Sequence, residues 1–164
     1  MNIVKRISDA VFTIEKYLVI VLMTIMLVSL VAGVTYRYFL NSPLSWPEEL
    51  AIIMLVWVTF VGGSMSIKRQ QAAAVSILLD RLQPKLRKIL LIIGFSLIIA
   101  FCGYLIYLCI NWVSAPSVFM QKLPSLGVAM FYPYLAIPIG FIGMGIHSIC
   151  LLIEVVVSGD TAEL

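Results

Sequence analysis

The stretch Tyr17-Leu18-Val19-Ile20-Val21-Leu22-Met23-Thr24-Ile25-Met26-Leu27-Val28-Ser29-Leu30-Val31-Ala32-Gly33-Val34-Thr35-Tyr36 decides the fold class. It places 20 residues between Lys16 and Arg37 without a single charge. A hydrocarbon core about 30 Å thick is crossed by roughly 20 residues of α-helix. Three more charge-free intervals follow, of 18 residues between Glu49 and Lys68, 33 between Lys88 and Lys122, and 31 between Lys122 and Glu154. The first of these takes one helix. Each of the other two is longer than one helix and too short for two plus a turn, so each holds one helix and part of a connection. Lipid offers a bare backbone no hydrogen bonds, which leaves helices as the fitting element. The alternation of a membrane barrel is absent. The sequence therefore reads as an all-α integral membrane protein, one domain over 1–164, with four transmembrane helices.

Composition agrees. Apolar types make up 62% of the chain and charged types 12%, against about a quarter charged in soluble domains. The surface this leaves suits lipid. The first apolar stretch is longer than a secretory h-region and no small-x-small cleavage site follows, so it reads as a retained helix. Cys102, Cys109 and Cys150 all fall in apolar segments and read as small buried hydrophobes rather than disulfide or metal partners.

Turn and cap signals set the boundaries. Residues 1–16 are polar and mildly amphipathic and suggest a short interfacial helix. The four spans are expected at about 17–38, 45–67, 84–112 and 126–157. Asn41 and Pro43 mark the first connection. Ser45 and Glu48 have capping-box spacing, with Pro47 in the first turn and Glu48 and Glu49 at the positive end of the helix dipole. Trp46 suits the membrane interface. Over 72–83, Val75, Leu78, Leu79, Leu82 and then Leu86 recur at helical spacing, while Ser76, Asp80, Arg81, Gln83 and Arg87 fall on other faces. This predicts a short amphipathic helix in the interface plane between spans two and three. Pro84 stops it and opens span three. Pro133 and Pro138 predict a bend near the outer end of span four. Ser29/Gly33, Gly62/Ser66, Ser96/Ala100 and Ala136/Gly140 are small-xxx-small pairs of the kind that lets helices approach in lipid.

Basic residues orient the chain. Lys5, Arg6 and Lys16 precede span one, and Lys68, Arg69, Arg81, Lys85, Arg87 and Lys88 lie between spans two and three. The other two connections hold only Arg37 and Lys122. Both termini are thus expected on the cytoplasmic side, with the six loop bases anchoring to the lipid surface. Nothing calls for a nucleic-acid partner.

The expected chemistry is sparse. No metal-ligand spacing, phosphate loop or nucleophile motif appears, so no catalytic residue and no cofactor site is assigned. The expected spans carry no mid-depth acid or base apart from His147, which reads as a hydrogen-bonded packing residue. A self-contained four-helix proton-coupled exporter would need a mid-membrane acid. A respiratory membrane anchor would need paired haem histidines. The polar constellation left is Arg37, Trp46, Glu48 and Glu49 at the outer ends of spans one and two. It reads either as dipole-matched caps with an ion pair or as a docking surface for partners.

The run Arg37-Tyr38-Phe39-Leu40-Asn41-Ser42-Pro43-Leu44-Ser45-Trp46-Pro47-Glu48-Glu49-Leu50-Ala51 closely resembles the first periplasmic connection of the small membrane subunit of TRAP transporters, the tripartite ATP-independent periplasmic importers. The resemblance continues through Gly63, Lys68-Arg69 and residues 75–82 with Asp80-Arg81-Leu82. The second half of the chain matches in helix count and length. Many members carry a histidine after the basic pair and an acid four residues later, where this chain has Ala72 and Ser76. The resemblance implies a subunit of the bacterial inner membrane. Its partners would be a large multi-helix membrane subunit holding the solute and sodium sites, and a soluble periplasmic protein that captures an organic acid. The small subunit would brace the large one and help dock the binding protein through the outer-face cluster.

Overall fold

The computed structural model describes residues 2–69 and 83–158. Helix α1 runs Asn2–Tyr38, α2 Trp46–Arg69, α3 Pro84–Val113, α4 Pro116–Met120, α5 Phe131–Tyr134 and α6 Ala136–Ser158. Four helical stretches, Ile3–Tyr38, Trp46–Arg69, Lys85–Val113 and Phe131–Val157, are long and apolar enough to cross a bilayer. These are the four spans the charge gaps predict. Among the described residues there is no strand, only an isolated bridge between Lys122 and Ala129. The amphipathic helix expected at 72–83, with Arg81, lies almost wholly outside the described residues.

Two boundaries differ from the sequence reading. Residues 2–16 do not form a separate interfacial helix; they continue α1 without a break for 37 residues. No proline or glycine interrupts the segment before Gly33, and its Ser8 and Glu15 find partners inside the bundle. At 1.5 Å per residue α1 is about 55 Å long, well beyond the hydrocarbon thickness. The fourth span starts at Phe131 rather than near 126. Residues 121–130 instead form a tight loop: Leu123 N–H donates to Val128 O at 2.9 Å, Gly127 N–H to Leu123 O at 2.9 Å and Met130 N–H to Gln121 O at 2.9 Å. Gly127 turns that loop at φ 65°, where a Cβ would be strained. The bend expected from Pro133 and Pro138 takes the form of a one-residue break at Leu135 between α5 and α6. Pro138 has no N–H to give the carbonyl of Tyr134, and its ring crowds that carbonyl.

The spans do not close into a square bundle. α1 packs along α2, α2 along α6 and α6 along α3, while α1 meets α6 only briefly. The order across the layer is one, two, four, three. Helix α6 is the best covered and turns Ala136, Gly140, Gly143, His147, Leu151 and Val155 inward. A Cβ on Gly140 would stand 2.6 Å from Phe60 Cβ and 2.9 Å from its carbonyl oxygen, so α2 and α6 touch there backbone to backbone. Gly33 seats Pro47, with a virtual Cβ at 3.1 Å from the ring, and fixes α1 against the start of α2. Edge helices α1 and α3 keep long apolar faces uncovered, including Leu27, Val28 and Val31 on one and Leu97, Phe101, Tyr104 and Tyr107 on the other.

Candidate functional site

Two polar constellations join separate spans, one at each end. At one end α1 finishes on Tyr38 and the chain turns through Asn41, whose φ of 49° is one that asparagine tolerates. This returns the start of α2 to the end of α1. Arg37 Nη2 donates to Glu48 Oε1 at 2.6 Å, with both side chains more than half exposed. The capping-box spacing predicts that Glu48 reaches back toward Ser45; its carboxylate instead takes the guanidinium. Glu49 has a different task. The Ser125 N–H donates to both of its carboxylate oxygens at 3.0 Å, and the Leu126 N–H donates to Oε2 at 3.1 Å. The start of span two therefore holds the loop that leads into span four. Trp46 is half-buried beside them and Pro47 is buried. The residues singled out from sequence are brought together, but as an ion pair and a loop anchor rather than one patch.

The second constellation lies toward the opposite end, near the start of α1, and was not legible in the sequence. Ser64 Oγ donates to Glu15 Oε1 at 2.6 Å. Glu15 Oε2 lies 3.1 Å from His147 Nε2, and His147 Nδ1 lies 2.8 Å from Ser8 Oγ. His147, Ser64, Ser8 and Glu15 are all buried. They come from spans one, two and four. The expectation that no acid accompanies His147 inside the bundle is therefore corrected: α1 extends below residue 17 and carries Glu15 to the histidine. Gly143 provides the room, since a Cβ there would collide with Glu15 Oε1 and Ser64 Oγ.

Beyond this cluster a belt of charges closes the same end of the bundle. Lys68 Nζ donates to Asp9 Oδ1 at 2.6 Å, and Lys5 meets Glu154 at 3.5 Å. Lys68 and Arg69 both sit 5.2 Å from the centre of the Phe12 ring, within cation–π range. Lys88 Nζ donates to Val156 O at 3.3 Å near the end of α6, where a cation suits the free carbonyls. Lys85 is exposed and Arg87 half-buried in the first turn of α3. Three of the bases expected to anchor to lipid thus also tie elements of the chain together. Cys102 and Cys150 are buried and Cys109 half-buried, all three as free thiols.

The model of the family "Tripartite ATP-independent periplasmic transporters, DctQ component" matches residues 13–157. That range takes in three spans whole, most of the first, and both constellations except Ser8. The chain belongs to this family. As a DctQ component it is part of a transporter and not an enzyme, and it passes through the membrane several times. Named relatives agree. The sialic acid TRAP transporter small permease protein SiaQ of Vibrio cholerae is 26% identical over 140 residues, 85% of this chain and 80% of the relative. The C4-dicarboxylate TRAP transporter small permease protein DctQ of the same species is 28% identical over 96 residues, 58% of this chain and 41% of the relative. The isethionate TRAP transporter permease protein DctMQ of Oleidesulfovibrio alaskensis is 24% identical over 96 residues, 58% of this chain. The match spans only 15% of that longer permease. The chain thus covers less than half the length of the latter two relatives.

Proposed function

We propose that this DctQ component braces the large membrane subunit of a sodium-driven importer of organic acids and helps dock its periplasmic binding protein. The observation that carries the proposal is the row of spans one, two, four and three, whose edge helices α1 and α3 leave long apolar faces free along the membrane. Such faces fit packing against another membrane subunit, where van der Waals contact and small residues drive association. The longer isethionate permease, of which this chain matches a small fraction, supports a large partner. The solutes in the names of the three relatives are a sialic acid, a C4-dicarboxylate and isethionate, which supports an organic-acid class. Solute and sodium sites are placed in the partner, so this chain needs no cofactor of its own. The outer face, with Arg37, Trp46, Glu48 and Glu49, is the surface offered to the binding protein.

Co-purification is the direct test: a tagged chain should bring down a much larger multi-helix protein from solubilised inner membranes. The buried Glu15–His147 pair favours a second reading, because ion-coupled carriers use intramembrane ionisable residues. The two separate cleanly. The purified chain alone, reconstituted in liposomes, should show no solute uptake under a sodium or a proton gradient. Uptake under either would establish a self-contained carrier.

The charge distribution supports cytoplasmic termini in the bacterial inner membrane. Single cysteines in a background lacking Cys102, Cys109 and Cys150 should label from outside with an impermeant maleimide at Asn41 and Ser117 and stay protected at Arg69. Labelling at 69 with protection at 41 would invert the topology.

A further inference from the structure

We propose that Ser8, His147, Glu15 and Ser64 form a hydrogen-bonded latch that fastens the cytoplasmic half of span one to spans two and four, and that the outer half is held without it. The four groups are separated by up to 139 positions in sequence, so the chain of contacts Ser8–His147–Glu15–Ser64 crosses from α1 to α6, back to α1 and on to α2. Each contact is 2.6–3.1 Å long. Helix α1 otherwise meets α6 only briefly, and its residues Ile3, Ile7 and Ile14 face outward. Apolar packing therefore contributes little to holding this half of α1 on α6. At the outer half the work is done by other contacts, namely Gly33 on Pro47 and Arg37 on Glu48.

The latch depends on hydrogen bonding and not on the carboxylate charge. A glutamine at 15 reproduces every contact. Its amide oxygen accepts from Ser64, its N–H donates to His147 Nε2, and the His147 Nδ1–H donates to Ser8. A leucine of similar bulk leaves His147 Nε2 and Ser64 Oγ without partners inside the bundle, at a site where water is excluded. Gly143→Ala reaches the same end differently. It removes no polar group, but its methyl takes the space of Glu15 Oε1 and Ser64 Oγ.

The test is a pair of distances measured by pulsed electron paramagnetic resonance on the full-length chain in lipid nanodiscs, with all three cysteines replaced. Spin labels at Ile3 and Val157, 75% and 63% exposed, report the cytoplasmic end. Labels at Phe39 and Met120, 81% and 80% exposed, report the outer end. Glu15→Leu and Gly143→Ala should each broaden the inner distance and lengthen it by about 5 Å, half the spacing of packed helices. Glu15→Gln should keep the native distribution, and the outer distance should stay unchanged in all three. An unchanged inner distance in both Glu15→Leu and Gly143→Ala would overturn the latch. So would broadening at both ends, which would make the network a determinant of the whole fold. Glu15→Gln behaving like Glu15→Leu would show that charge and not hydrogen bonding holds the helix.

Discussion

Gly140→Ala should destabilise the folded chain by about 1–3 kcal/mol, the range found when extra carbon is forced into a packed core, and Gly140→Leu should prevent assembly of the bundle. The added Cβ of alanine would meet Phe60 Cβ at 2.6 Å, its carbonyl oxygen at 2.9 Å and its carbonyl carbon at 3.0 Å. Two of those three atoms are backbone and cannot swing aside. The neighbouring rings leave no slack, since Phe141 packs edge-on against Phe60 at 5.8 Å and Phe101 against Phe141 at 6.5 Å. Helix α2 would have to move away from α6, and the central contact of the row would open. Gly62→Ala is the matched control, because nothing lies within 4 Å of a Cβ there. It should be neutral or slightly stabilising, as alanine is the better helix former. Thermal unfolding in detergent, followed by loss of the monodisperse peak, reads both. Equal stability of Gly140→Ala and Gly62→Ala would mean that α2 and α6 do not pack as described.

The contrast between those glycines shows where sequence reasoning ends. Four small-xxx-small pairs were legible, but composition does not tell which face of a helix meets another. Ala136/Gly140 and Ser29/Gly33 lie at packed faces. Ser66 of the second pair is exposed, and so are Ser96 and Ala100. The spans themselves were readable because lipid punishes a charge in nearly any setting, so gaps between charges mark helices without tertiary knowledge. The same rule hid Glu15. A carboxylate beside Lys16 reads as the end of a span, and its partners Ser64 and His147 lie 49 and 132 positions away. Only the packing of three helices reveals that the acid is satisfied and can be buried. The start of the fourth span differs from the sequence reading for a similar reason. Residues 126–130 are apolar enough for a span, yet Gly127 takes a positive φ and Glu49, from another helix, captures the amides that a helix start would otherwise leave free.

The two ends of the molecule also differ in what sets their geometry. Toward the start of α1 the pairs Lys5–Glu154 and Asp9–Lys68, each with one side chain more than half exposed, and Lys88 on Val156 O lie outside the buried latch, where single ion pairs contribute about 0–1 kcal/mol. They orient helix ends more than they stabilise them. At the opposite end Glu49 anchors the loop 121–130 through the N–H groups of Ser125 and Leu126, and Leu126 and Val128 line an apolar hollow with Leu50 and Trp57 of α2. If the outer face receives a binding protein, that anchoring is what presents the loop in a fixed place.

Replacing Glu49 should therefore cost the transporter much more than replacing Glu48. Glu49 gathers the N–H groups of Ser125 and Leu126 with both carboxylate oxygens. Hydrogen bonds to a charged group contribute about 1.5–3 kcal/mol each, so Glu49→Ala releases the loop between α4 and α5 and strands two amides. Glu48 makes one exposed pair with Arg37, whose loss falls within about 1 kcal/mol. The expected result is that Glu49→Ala lowers uptake by the complete transporter several-fold while Glu48→Ala stays within about two-fold of native, both reaching the membrane at native levels. Membrane insertion is driven by the apolar spans and is untouched by either change. Limited proteolysis from the outer side should cut Glu49→Ala within residues 121–130 and leave Glu48→Ala intact. Glu49→Gln keeps one acceptor oxygen, and because Oε2 alone receives both the Ser125 and the Leu126 N–H, it should stay nearer the native chain than the alanine variant. Full uptake by Glu49→Ala with an uncut loop would show that the loop is held by its own hydrogen bonds and that the carboxylate does not anchor it.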